Sequence, residues 1–182
     1  TPTTKYQLFF EGGGWCYNDK DCANRATTDL GSSKNYPDQA DRQGGVSSSD
    51  CDLNPAFCDF NFVYLKYCDG NSFSGNLDNT VHIDETDQDL HFRGHHILEA
   101  VLTDLVANEG MDEVTELSLT GCSAGGLSTF LHSDYVQKSV AEKVTQEFKY
   151  GATPVSGFFL MDRQNVHDEF VMSDQMKTIF EL

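Results

Sequence analysis

Apolar positions along this 182-residue chain fall into short dense runs separated by long polar stretches. Residues 6–10, Tyr-Gln-Leu-Phe-Phe, predict a strand, and residues 61–67 predict a second. Beyond Leu90 the spacing changes. Ile97, Leu98, Val101, Leu102, Leu105 and Val106 recur at helical intervals, and Gly110 stands where a left-handed cap would end that helix. An apolar run at 114–120 predicts another strand, followed by a helix through Leu127, Phe130 and Leu131. Residues 155–160, Val-Ser-Gly-Phe-Phe-Leu, predict a last strand, and the chain reaches Leu182 in a helical pattern.

Between the first two strands, residues 16–59 are polar, with turn signals at residues 31–33 and 44–45. A loop of that length is usually functional or tied down covalently. A second Gly/Ser/Asp loop covers residues 68–75. Strands alternating with helices imply an α/β chain: a mostly parallel sheet with helices on both faces, in one domain over residues 1–182. Active sites of such sheets gather at the carboxyl ends of the strands. Residues 12–15, Cys68-Asp69 and Ser123 all fall at such ends.

Residues 121–125 read Gly-Cys-Ser-Ala-Gly, the Gly-x-Ser-x-Gly of a nucleophile elbow, with a strand before it and a helix after it. That context makes Ser123 the candidate nucleophile for acyl transfer. The chemistry also needs a base and donors for the oxyanion. The N–H of Ala124, one residue on, is the first donor by position. Gly12-Gly13-Gly14, after the first strand, resembles the His-Gly-Gly-Gly loop of many lipases, so the N–H groups of Gly14 and Trp15, or of Gly13, are candidates for the second. The same glycines would also make a plain tight turn, and Trp15 would also serve as a core residue.

The base is harder to find. In this fold the order is Ser, then Asp or Glu, then His. Only His132 and His167 follow Ser123. His132 lies nine residues along the elbow helix, so it is expected to point away from Ser123 and to sit on the surface. His167 follows the last strand and is a weak candidate. His95 and His96 precede the nucleophile on a helix and read as structural or exposed. The catalytic Asp and His are therefore expected beyond Leu182, in a protein whose C-terminal part is missing here.

Charge narrows the partners. With 12 basic and 29 acidic residues the net charge is −17, which excludes a general nucleic-acid-binding face. No apolar run approaches the roughly 18 residues of a membrane span. Cysteines stand at 16, 22, 51, 58, 68 and 122. The short spacings favour two local disulfides, Cys16–Cys22 and Cys51–Cys58, and an oxidising compartment. Free thiols are the main alternative. A zinc site is weakly supported, since no C-x-x-C and no paired Cys/His cluster occurs.

Five linked motifs resemble one family. They are Phe9-Phe-Glu-Gly-Gly-Gly-Trp-Cys16, Tyr67-Cys-Asp-Gly70 with Ser72-Phe-Ser-Gly75, Phe92-Arg-Gly94, residues 121–127, and Gly157-Phe-Phe159. In order and spacing they are similar to the pectin acetylesterase/Notum family, with wording nearer the plant pectin acetylesterases. The resemblance implies a partial α/β-hydrolase fold and a secreted or cell-wall, disulfide-bonded serine carboxylesterase needing no metal or organic cofactor. It carries the nucleophile to Ser123, the oxyanion donors to Gly14, Trp15 and Ala124, and a disulfide to Cys16–Cys22. Asp162 matches a structural aspartate rather than the triad acid. The expected substrate is an acetyl ester of a cell-wall polysaccharide such as pectin, and the isolated chain is expected to lack turnover. Two alternatives remain: a Notum-like lipid or protein O-deacylase, and a non-catalytic binding remnant.

Overall fold

The computed structural model describes residues 3–37, 42, 44–161, 164, 167 and 169–181. In chain order the elements are β1 (Lys5–Phe10), α1 (Asp19–Arg25), β2 (Asn61–Leu65), β3 (Val81–Ile83), β4 (Gln88–Leu90), α2 (Gly94–Asn108), β5 (Glu116–Cys122), α3 (Ala124–Ala141), β6 (Lys149–Val155) and α4 (Val171–Glu181). Four strands form a sheet in the order β2-β1-β5-β6, every pair parallel. β3 and β4 make a separate antiparallel hairpin. The α/β, parallel-sheet expectation is met.

Alternation along β1 sets the core. Tyr6, Leu8 and Phe10 point to one face, in register with Leu117 and Leu119 of β5. Leu98, Leu102 and Leu105 of α2 and Val136 and Val140 of α3 cover that face. Each such side chain contributes about 1.5–3 kcal/mol of burial. On the opposite face Phe9 stacks on Tyr64, ring centroids 5.6 Å apart, and the Arg42 guanidinium lies 5.4 Å from the Phe62 ring centroid.

Three expectations are corrected. The last strand is β6, ending at Val155, not residues 155–160. Its sequence, Lys-Tyr-Gly-Ala-Thr-Pro-Val, carries the Gly and Pro that argue against a strand, and Pro154 is tolerated because β6 lies at the sheet edge. The aromatic run after it leaves the sheet, with Phe158 75% exposed. The second correction is His132, which is buried, not on the surface. In its first half the face α3 turns to the sheet is built of small and polar residues, Gly125, Ser128, Thr129 and His132, while Phe130 and Leu131 face outward. Close approach explains this: a Cβ on Gly125 would lie 2.1 Å from the Phe10 carbonyl oxygen. Third, the stretch 16–59 contains α1, whose Asn18 side chain caps it by accepting from the Asp21 N–H. Seven mostly polar residues give a helix too short for periodicity to show.

Both local disulfides are formed, Cys16–Cys22 and Cys51–Cys58, while Cys68 and Cys122 are free thiols. Asp162 lies outside the described residues.

Candidate active site

Ser123 sits between the end of β5 and the start of α3 with φ 59° and ψ −120°, a conformation non-glycine residues rarely adopt. Its N–H donates to the Val155 carbonyl at 3.0 Å, and its carbonyl accepts from the Leu127 N–H at 3.0 Å, so strand and helix both hold the turn. The side chain is exposed. Ala124 is the first residue of α3 and is buried. Its N–H is one of the helix-terminal donors that no carbonyl within the helix can accept.

The glycine loop lies against this elbow. A Cβ on Gly12 would stand 2.4 Å from the Cys122 carbonyl oxygen and 3.5 Å from Ser123 Cβ. Gly13 and Gly14 have φ of 133° and 66°, open only to glycine in the first case and favouring it in the second. Among the described residues no carbonyl accepts from the backbone N–H groups of Gly12, Gly13, Gly14 or Trp15. The loop is pinned at both ends. The Glu11 N–H donates to the Leu65 carbonyl, and the Glu11 carboxylate accepts from the Tyr67 N–H and from Lys66 Nζ at 2.8 and 2.6 Å. At the far end the Cys16 N–H donates to the Gly70 carbonyl and Cys16 is bonded to Cys22. The Arg25 guanidinium holds the Gly13 carbonyl at 2.9 Å.

Beneath the elbow, the loop after β2 is held in a strained shape, with φ of 49° at Ser72 and 60° at Phe73. The Tyr67 hydroxyl accepts from the Ser72 N–H, and Asp69 Oδ1 accepts from the Phe73 N–H. The Ser72 hydroxyl reaches the Ala124 carbonyl at 3.4 Å. The Phe73 ring lies between Tyr67 and Phe10. His132 belongs to this support: its Nε2 meets the Ser72 carbonyl at 2.9 Å, so Nε2 carries the hydrogen. Burial pushes the His132 imidazole below its ordinary pKa, with the nearby His95 acting in the same sense and the Ser72 carbonyl opposing it. His132 Nε2 is thus occupied by the Ser72 carbonyl. His167 is exposed. No hydrogen bond joins the Ser123 hydroxyl to a histidine among the described residues.

Trp15 leans edge-on against Phe159, centroids 5.1 Å apart, and its indole N–H donates to Gln175 Oε1 of α4 at 3.2 Å. Trp15, Phe159, Leu160, Val171 and Met172 line a groove of about 330 Å³ beside the glycine loop. Among the described residues no three His, Cys, Asp or Glu are grouped to hold a metal ion, and no helix is long and apolar enough to cross a membrane.

The structure packs Gly12, at the head of the glycine loop, against the Cys122–Ser123 turn, with Ala124 opening α3 directly after it. Sequence reasoning missed one support of this site, Arg25, and placed another, Asp69, at a strand end without giving it a role. Asp69 lies in one of the quoted motifs, which was a signal for it; Arg25, on a short polar helix, gave none.

Known proteins are similar to this chain. The family model described as Pectinacetylesterase matches residues 1–181. "Pectin acetylesterase 5" of Arabidopsis thaliana is 46% identical over 128 residues, 70% of this chain and 29% of that protein. The "Palmitoleoyl-protein carboxylesterase NOTUM" of Schmidtea mediterranea is 33% identical over 159 residues, 86% of this chain and 29% of that protein. A crystal structure of the Wnt deacylase Notum from Drosophila superposes with a TM-score of 0.78 at 29% identity, over 89% of this chain and 46% of that one. The chain spans less than a third of these two relatives and under half of the solved structure.

Proposed function

The chain belongs to the pectinacetylesterase family, and from that premise we propose that it carries the nucleophile and oxyanion half of a serine carboxylesterase acting on acetyl esters of a cell-wall polysaccharide such as pectin. The observation that carries the reading is the Ser123 turn: a strained, exposed serine at a helix N-terminus, with the glycine loop packed against the carbonyl just before it. The strain lifts the hydroxyl clear of the sheet, where an ester carbonyl can reach it. Ser123 Oγ attacks that carbonyl and its proton passes to a histidine base. The N–H groups of Ala124 and of Gly14 and Trp15, or of Gly13, receive the charge that develops on the carbonyl oxygen. Donors fixed before the reaction need no reorganisation as the charge forms. The alcohol leaves with the proton returned by the histidine, and water then releases acetate from Ser123 by the reverse proton path.

His132 is committed to the Ser72 carbonyl, and the base and its acid partner are proposed to lie in the part of the family's length that this chain does not span. On that assignment the isolated chain has no turnover. Secretion is supported by the two disulfides, which persist in an oxidising compartment.

A second reading is removal of a long acyl chain. It is favoured by the mainly apolar groove of Trp15, Phe159, Leu160, Val171 and Met172, which Gln164, Glu169 and Gln175 also line, and by the palmitoleoyl-protein carboxylesterases among the relatives. Hydrolysis of p-nitrophenyl acetate against p-nitrophenyl palmitate, by the protein that carries this chain, separates the two. The acetyl reading expects kcat/KM to fall with acyl length. A rise with acyl length would replace it with the second reading.

A further inference from the structure

Two consecutive glycines, each at positive φ, carry the backbone past Ser123. Glycine has more backbone freedom to lose than any other residue. Such a loop holds one conformation only if something outside it fixes a peptide plane. Within the loop the Gly13 carbonyl is the group so fixed, by Arg25 Nη1 at 2.9 Å. No peptide here is cis, so the N–H of each peptide points opposite to its carbonyl. Holding the Gly13 carbonyl therefore aims the Gly14 N–H away from Arg25.

Arg25 is itself well anchored. Its Nε donates to the Leu30 carbonyl at 2.9 Å, and its guanidinium lies 4.7 Å from the Tyr67 ring centroid. Gly70 packs beside its stem and the disulfide: a Cβ there would lie 3.4 Å from Arg25 Cδ and only 2.9 Å from Cys16 Sγ. The Cys16–Cys22 disulfide ties its helix to the loop. One nitrogen, Nη2, is buried without a partner, and so is Asp69 Oδ2. Both residues line one small pocket of about 30 Å³, with Cys68 and His91 also on its wall. A buried guanidinium nitrogen and a buried carboxylate oxygen, each without a hydrogen bond, are costly unless something bridges them. The pocket has room for a water molecule.

We propose that Arg25 is the positioning residue of the oxyanion loop, and that a water molecule between Arg25 Nη2 and Asp69 Oδ2 braces it. The proposal rests on the esterase reading, in which the Gly14 N–H receives charge from the ester oxygen. Arg25 touches no reacting atom. It acts by fixing the Gly13–Gly14 peptide, so it affects the transition state more than the bound ester.

The test uses the protein that carries this chain, with p-nitrophenyl acetate as substrate and a fluorophosphonate as covalent probe of Ser123. Arg25→Gln is expected to lower kcat about 10- to 100-fold, since loss of a whole oxyanion donor costs roughly 10²- to 10³-fold. KM is expected to stay within about twofold, and fluorophosphonate labelling to slow in parallel with kcat. Asp69→Asn is expected to fall between wild type and Arg25→Gln. Arg25→Lys keeps the charge and the stem, but one ammonium cannot hold the Leu30 and Gly13 carbonyls together. It should lose kcat in the same sense, and it carries the test if Arg25→Gln does not fold. A folded Arg25→Gln or Arg25→Lys with wild-type kcat, or one changed only in KM and melting temperature, overturns the Arg25 role while labelled Ser123 leaves the esterase reading standing. Absence of Ser123 labelling and turnover in the wild type removes both.

Discussion

The backbone of Gly12 lies flat against the carbonyl of Cys122, so close that a Cβ on Gly12 would come within 2.4 Å of that oxygen. This contact joins the end of β1 to the end of β5 and sets the distance between the glycine loop and Ser123. Both partners are backbone, so neither can move aside cheaply. Gly12→Ala is therefore expected to destabilise the fold by about 2–3 kcal/mol and to reduce kcat more than 10-fold. Gly14→Ala is the contrast. Its φ of 66° is strained for alanine, but a Cβ there meets nothing within 4 Å, so it should cost about 1 kcal/mol. Urea unfolding and p-nitrophenyl acetate kinetics on both variants check the order; equal effects would contradict it.

Cys16 follows Trp15 directly, and its bond to Cys22 closes a short ring with a sequence separation of 6. Removing it as the double variant Cys16→Ala/Cys22→Ala should lower stability by roughly 2 kcal/mol and lower kcat as well, because the far end of the glycine loop is released. The Cys51–Cys58 pair closes a ring of similar size, with a separation of 7, in a turn organised around Asn54, whose side chain donates to the Val46 and Ser48 carbonyls. Its removal should cost similar stability and leave kcat unchanged. Melting curves and kcat for the two double variants test the distinction.

Burial raises the Asp69 carboxyl from the ordinary 3.8 to about 6, against the opposing effect of backbone N–H groups and of Arg25. The other titratable neighbours are Tyr67, pushed up to about 12 by burial, Cys68, also pushed up by burial, and His91 on the pocket wall. A carboxyl whose pKa is raised on folding favours the protonated state of the native protein. Its stabilising contribution is full below pH 3.8, declines as pH rises, and is gone above about pH 6. Across that window the wild type should lose about 3 kcal/mol relative to Asp69→Asn, since each pH unit between the two values is worth about 1.4 kcal/mol. Denaturation of both proteins at several pH values from 3.5 to 7 reads the difference. A difference independent of pH would contradict the assignment.

His132 should behave in the opposite sense. Its pKa is lowered on folding, mainly by burial, so the neutral ring is the native form and stability falls as pH drops below the ordinary 6.5. The NMR titration of its ring protons should give a midpoint below 6.5, moving back toward it when the Ser72–Phe73 loop is unfolded. A midpoint at or above 6.5 would show that the ring is not buried against Phe10 and Ser72.

The parts of this site that were legible in the sequence are those where local chemistry dictates structure. A serine flanked by Gly121, Ala124 and Gly125 can make the elbow, and three glycines in a row can make the donor loop. Period-3.6 spacing showed α2, and Gly110 does adopt φ 76°. What was hidden depended on tertiary contact. His132 looked exposed because the first half of α3 buries a small, polar face and shows Phe130 and Leu131 outward, reversing the usual hydrophobic pattern there. β6 was masked by Gly151 and Pro154, which an edge strand accepts. Arg25 matters only because the fold carries α1 to the Gly13 carbonyl, a contact across 12 residues that no local pattern shows.

The central claim is that Ser123 is the nucleophile. Its most direct test is to treat the protein that carries this chain with a fluorophosphonate, digest it, and locate the adduct by mass spectrometry while following p-nitrophenyl acetate hydrolysis. The account predicts one adduct on Ser123, loss of hydrolysis in step with labelling, and a fall of at least ~10³-fold in kcat for Ser123→Ala. An adduct on another residue, or a Ser123→Ala protein that turns over at the wild-type rate, would contradict it.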